Sequence, residues 1–303
     1  MSDSPINGTL LSEETFDNIF TEVTHDNKLP LQNPNQLRIF HLDMPNNEFD
    51  FTHLKEFLEE NIGSYVFSRA KIDNLYAIKK ERSIDFQARK EMLEMANNNL
   101  SEMMIYLFLE HVLEAPKLIS KVELASTGNV SNSDSVHLHT LSDNLGTYYQ
   151  MVFGVSNIVG DIRDAIDNAF LKIKKINDSK QDEVRLVDKT VLGQSFDEET
   201  TEKIKGILLP SKDSPTTPSN AFGIFLGYSL GLKTTTRSVR QFPTDAVAKM
   251  KFDIENHVEY IADKINKLGS NAHSFYIYIM PFNDAISDSE DVLDQILPGR
   301  LKP

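Results

Sequence analysis

TYYQMVFGVSNIVGDIRDAIDNAFLKIKKI, residues Thr147 to Ile176, decides how the rest of the chain is read. Its first part, Thr147–Val155, is rich in β-branched and aromatic residues, as a strand is. From Gly160 to Ile176 the pattern changes. Ile162, Ala165, Ile166, Ala169, Phe170 and Ile173 recur at the three-and-four spacing of one buried helical stripe. Asp161, Asp164 and Asp167 lie in the first turns; Lys172, Lys174 and Lys175 lie at the end. That order complements a helix dipole. A strand running into an amphipathic helix is therefore expected here.

Working upstream, Leu100–Leu113 is apolar nearly all round, as a core helix is. Two more strands are expected between that helix and Thr147, over Lys117–Ala125 and Asp134–Thr140. The gaps Ser126–Ser133 and Leu141–Gly146 carry Gly, Asn, Ser and Asp, so the three strands should be antiparallel. Downstream, Gln181–Val191 and Glu198–Leu208 read as helical and Pro210–Asn220 as a loop. Ala221–Leu230 and Ser274–Met280 are apolar on both faces, as in the middle of a covered sheet. One long helix between them is expected from Thr244 or Asp245 to Leu268, stopped by Gly269, and a last acidic helix over Ser287–Leu297. The opening region is less regular: a loop at Pro30 and Pro34, a short strand Leu37–Leu42, and a helix from Phe51 to about Ser64 capped by Asp50. The expected organisation is an N-terminal mixed α/β extension, 1–95, and an α/β core domain, 96–303. The fold class is α/β, a mixed central sheet flanked by helices.

The 303 residues include 31 Lys and Arg against 45 Asp and Glu, a net charge of −14. Such a surface repels phosphates at long range and argues against a free-standing, non-specific nucleic-acid binder. It leaves room for a local basic patch. Arg69–Lys90 is the most basic window, with seven basic and three acidic residues; it is either a solvated helix face or a contact surface for phosphates or an acidic partner. With no Cys, disulfides and thiolate metal sites are excluded. No stretch approaches the ~18 apolar residues of a spanning helix, and Met1–Asp17 has neither the basic nor the apolar part of a secretory signal. The expectation is a soluble cytoplasmic protein with no membrane partner.

Phosphate-loop, dinucleotide and HExxH motifs are absent. His137 and His139 share a strand face and offer two metal ligands without a third; ordinary polar strand residues are the plainer reading. Gly227-Tyr-Ser-Leu-Gly231 matches the GxSxG elbow of serine hydrolases, with Asp253 and His257 or His273 following in triad order. The helix that should start at the elbow is missing, since Lys233-Thr-Thr-Thr-Arg237 has no apolar stripe. A hydrolase using Ser229 is the alternative from another class.

The more informative arrangement is the order itself: a core helix carrying Glu102, three strands with Asp134 opening the second, then the amphipathic helix. This is the order of the PD-(D/E)xK nuclease core. There an Asp on the second strand and an ExK pair on the third meet at one sheet edge. Two carboxylates hold Mg²⁺, which activates water and neutralises charge developing on phosphorus. Strand alternation puts the E and K of ExK on one face.

Leu100-Ser-Glu-Met-Met, Asp134-Ser-Val-His137, Phe153-Gly-Val-Ser-Asn-Ile-Val-Gly-Asp-Ile-Arg-Asp-Ala165 and Phe275-Tyr-Ile-Tyr-Ile-Met-Pro281 resemble the HamA component of the Hachiman anti-phage defence system. The resemblance runs over most of the chain, best from about 95 to 285. It implies an antiviral complex in which a superfamily-2 helicase, HamB, loads on DNA, and a nuclease-like subunit is held in check until released to cut. It also implies Glu102 and Asp134 as the Mg²⁺ ligands. The chain departs from the pattern at ExK, where Val155 and Asn157 stand. Either the chemistry has moved, or the fold binds DNA or a partner without cutting. Lys121 and Glu123, two apart on the expected strand, share a face and could replace the lost pair; an exposed cross-strand ion pair is the plainer reading. The catalytic set so implied is Asp134, Glu102, Glu123 and Lys121. Phosphate contact is expected from Lys233, Arg237 and Arg240, in a window without acids, and partner docking through the acidic run Asp284–Asp294.

Overall fold

The computed structural model describes residues 13–94, 99–126, 131–143, 146–179, 196, 198–208, 219–232, 238, 240–270 and 272–300. The strands are β1 (Thr21–Glu22), β2 (Asn35–His41), β3 (Lys117–Ser120), β4 (Ser135–Asp143), β5 (Gly146–Val159), β6 (Ser219–Ser229) and β7 (Ser274–Phe282). The helices are α1 (Glu13–Ile19), α2 (Thr52–Val66), α3 (Arg69–Ala77), α4 (Ile84–Leu93), α5 (Leu100–His111), α6 (Lys121–Ser126), α7 (Ile162–Asp178), α8 (Glu198–Leu208), α9 (Phe242–Glu255), α10 (Val258–Lys267) and α11 (Ala285–Ile296). Among the described residues seven strands form one mixed sheet in the order β1-β2-β7-β6-β5-β4-β3. The fold is thus the expected mixed α/β sheet flanked by helices.

β3, β4 and β5 lie side by side and antiparallel, as their Gly- and Asn-bearing connections require. β5, β6, β7 and β2 run parallel. β6 and β7 are covered on both faces, which is why their sequences are apolar without alternation. The opening region contributes β1 and β2 to this sheet; Asn35 pairs with Phe275.

Two helices cover the middle strands from opposite sides. Gly154 and Gly223 are register partners facing α5. A Cβ on Gly223 would sit 2.5 Å from Leu109, so α5 approaches this closely only because glycine is there. On the other face Phe153, Phe222 and Phe275 align, and Phe170 of α7 stacks on Phe275 at 6.4 Å. The Asp161 carboxylate accepts from the Arg163 and Asp164 N–H groups and caps α7.

Two expected elements are corrected. The strand expected over Lys117–Ala125 ends at Ser120, and Lys121–Ser126 is helical. Ser120 Oγ accepts from Glu123 N at 3.2 Å while Glu123 Oε2 accepts from Ser120 N at 2.8 Å. That reciprocal S-x-x-E box starts a helix. The single helix expected from Thr244 or Asp245 to Leu268 is two, broken at Asn256 and His257. Asn256 Nδ2 donates to the Phe252 carbonyl, and His257 Nδ1 donates to the Asp253 carbonyl at 2.6 Å, each a group the helix ladder would use. The helix expected over Gln181–Val191 lies outside the described residues. No helix among the described residues is long and apolar enough to cross a membrane.

One buried cation joins the opening region to the core. Lys117 is 1 % exposed. Its ammonium donates to the carbonyls of Ser64, Tyr65 and Phe67 at 2.9–3.0 Å, capping the C-terminal end of α2, and pairs with Glu123 at 2.9 Å.

Candidate functional site

Four charged side chains from four segments meet beside the start of β4. Asp134 is held there by backbone: its N–H reaches Gly154 O at 2.8 Å and its carbonyl accepts from Lys121 N at 3.1 Å. The β4–β5 ladder begins at Ser135 and Gly154, so β5 runs on beyond it as an open edge. Lys172 reaches over from α7 to that edge. Its ammonium donates to the Ser156 carbonyl at 2.9 Å and to both Asp134 oxygens at 2.9 and 3.1 Å. Ser156 Oγ donates to Asp134 at 2.7 Å and lies 2.9 Å from Ser101 Oγ.

Glu102 arrives from the first turn of α5, which Asn99 caps. The Lys121 ammonium donates to Glu102 at 2.5 Å and stands 3.8 Å from Asp134. The two carboxylates therefore converge on one cation. Both are buried, Glu102 at 5 % exposure and Asp134 at 1 %. Burial pushes the Glu102 carboxyl up, and the negative charge of Asp134 adds to this, against the pull of Lys121. Burial pulls Lys121 down, but the charges of Glu102 and Asp134 outweigh it, so its ammonium is held more firmly than usual. Tyr65, from the end of α2, hydrogen-bonds Glu102; burial first, then that negative charge, raises its hydroxyl well above the ordinary value.

Of the residues singled out from sequence, Glu102, Asp134 and Lys121 come together. Glu123 does not join them. Two positions apart on helical α6 is a rotation of about 200°, not a shared face. Its carboxylate turns to Lys117 and the Ser120 N–H. Val155 is buried on the α7 face of β5, and Asn157 accepts from Asn168 there at 3.4 Å. Ser156, between them, is the residue that faces the carboxylates. Lys172 was not singled out from sequence. The signal was present: it lies three residues after Ala169 and one before Ile173, at the margin of the buried stripe.

The other candidates find different surroundings. Ser229 Oγ accepts from Ala285 N at 2.9 Å, the Asp253 carboxylate takes the Tyr228 hydroxyl and Lys249, and His257 Nδ1 faces a backbone carbonyl. These bonds run elsewhere than a Ser–His–Asp relay needs. Lys233 and Arg237 lie outside the described residues; Arg240 is exposed just before α9. In the acidic run, Glu290 and Asp294 pair with Arg300, and Asp288 caps backbone N–H groups of Asn283 and Asp284. Much of that charge is thus engaged internally.

His137 is fully buried between Ala115 O at 2.7 Å and Ser135 Oγ at 3.0 Å. Burial pushes its imidazole down to about 3, and that of His139 to about 4. The folded state keeps His137 neutral, whereas the unfolded chain protonates it near pH ~6.5. Its contribution to stability is complete above that pH and declines as pH falls towards 3. Between about pH 6.5 and 5 the loss should be roughly 2 kcal/mol. Thermal midpoints across this range would show it, and His137→Gln should flatten the slope. An undiminished slope would assign the effect to other groups.

A family model described as HamA matches residues 17–296. The chain belongs to the HamA family. Comparison with curated proteins and with solved structures gave no match. HamA membership is consistent with a role in anti-phage defence. In this HamA chain two buried carboxylates point at one ammonium, and carboxylate oxygens are the donors that a hard cation takes. No group of three potential metal ligands gathers among the described residues; Glu102 and Asp134 are the two carboxylates there that could hold such an ion. Loading would require the Lys121 ammonium to move from between them.

Proposed function

We propose that the chain is the nuclease-fold subunit of a Hachiman-type defence complex, acting on DNA with a superfamily-2 helicase of the HamB kind. The observation that carries this reading is the convergence of Glu102 and Asp134 on Lys121 at the open edge of β5. The helix, three-strand, helix order supports it.

Mg²⁺ held by Glu102 and Asp134 would supply an activated water and neutralise charge on phosphorus. Lys172 takes the role that the third-strand lysine has in the nuclease pattern: it reaches Asp134 from α7 instead of from position 157. Freed from Glu102, Lys121 offers a second cation to a phosphate. Ser156 and Ser101 fix the orientation of Asp134. With two acids matched by two ammoniums, the cluster is self-neutralised, which suits a subunit restrained until its partner acts. Phosphate contact through Lys233, Arg237 and Arg240 belongs to the same proposal.

A second reading, a non-cutting regulator of the helicase, is favoured by Val155 and Asn157 at the ExK positions. The assay is cleavage of supercoiled plasmid by the complex with Mg²⁺ or Mn²⁺. Nicking that falls by roughly 100-fold in Lys172→Met, the scale of one lost preorganised contact, is the expected result. Phage protection by a complex that never nicks DNA would select the regulator.

A further inference from the structure

The segment that brings Tyr65 to Glu102 continues directly into α3 and α4, the most basic stretch of an acidic chain. Three of its cations are engaged: Arg69 with Glu110, Lys71 with Glu91 and Arg89 with Glu59. Lys79, Lys80, Arg82 and Lys90 are exposed and form no ion pair among the described residues. The same stretch carries Tyr76, Ile78, Phe86 and Leu93, four of the seven exposed large apolar side chains among the described residues. The rings of Tyr76 and Phe86 are 59 % and 72 % exposed.

Lys79 is the odd residue of the group. Its N–H reaches Tyr76 O at 3.0 Å, and the Lys80 N–H reaches Leu75 O at 2.8 Å, the pair of bonds that closes a helix in a Schellman turn. The closing residue is left-handed, with φ 56°, where glycine is the low-cost choice. A lysine there keeps a cation at the tip against backbone strain, and such strain collects where a side chain has a use.

We infer that α3 and α4 form a binding surface for single-stranded DNA. Two exposed rings, Tyr76 and Phe86, flank Lys79, Lys80 and Arg82, with Lys90 beyond them and one exposed acid, Glu81, among them. This matches a polymer that alternates phosphates with unpaired bases. A duplex hides its base faces, and a partner helix would be met by an apolar stripe rather than by interleaved charge. That a bound strand is also a substrate of the Glu102–Asp134 cluster rests on the nuclease reading; the binding does not.

The test is fluorescence anisotropy of a labelled oligothymidylate with the full chain, in EDTA, over a salt series. The wild type should bind, with single strands competing at least ~10-fold better than duplex. The double variant Tyr76→Ala/Phe86→Ala should bind about 30-fold or more weakly, the low end of the scale for two lost stacking contacts. Lys79→Gly should flatten the salt dependence by about 0.7, the single-strand slope for one phosphate contact, while its thermal midpoint holds or rises. Absent binding, or variants equal to the wild type, would overturn the inference. So would variants that keep the oligonucleotide but lose the helicase, which would assign the surface to a protein. Binding in EDTA by a chain that never cuts would leave this inference standing and remove the nuclease reading.

Discussion

Asp134→Asn should abolish phage protection and reduce plasmid cutting by the complex by roughly 100-fold or more, the scale of removing one preorganised charge contact at a reacting centre. Asp134 is the hub of the cluster: Lys172, Lys121 and Ser156 all converge on it. Asparagine keeps the size and one acceptor oxygen but removes the charge that holds two ammoniums. The fold should survive, because the Lys121 and Lys172 side chains are 35 % and 29 % exposed and can turn to water. A thermal midpoint close to wild type together with lost protection is therefore the expected pairing. Full protection by a folded Asp134→Asn chain would move function away from this cluster altogether.

The second large effect is on stability. Lys117→Met should cost about 3–5 kcal/mol, because it leaves the Glu123 carboxylate and the end of α2 without their cation. For a chain of this size that corresponds to a fall in thermal midpoint of about 5–8 °C. Adding Glu123→Gln should recover part of the loss, since the stranded charge is then gone. A midpoint unchanged in Lys117→Met would mean that water replaces the ammonium at no cost, and that α2 is not anchored through this contact.

Much of the scaffold was legible because its signals are local. The stripe of α7, the all-apolar β6 and β7, and the Gly- and Asn-rich hairpins each specify their own geometry. The S-x-x-E box at Ser120 was equally local, but Leu118, Ile119 and Val122 gave a strand-like impression that masked it. The break at Asn256 was hidden for a similar reason: the apolar positions stay nearly in line across it, while the side chains that end the helix act on carbonyls four residues back. At the site, Glu102 and Asp134 could be paired from the order of elements. Lys172 could not, since its role depends on β5 outrunning β4 and on a long side chain rounding the sheet edge. Nor could the divergence of Lys121 and Glu123, which follows from one residue pair being helical instead of extended.

The place of β2 in the sheet bears on how the molecule is made. β2 leaves the ribosome long before its parallel neighbour β7, and Phe49 is tied to Asn283 across 234 positions. The nascent chain must carry an unmatched strand until β7 emerges. Chains cut short by premature termination would retain that open edge, which marks them for aggregation or proteolysis.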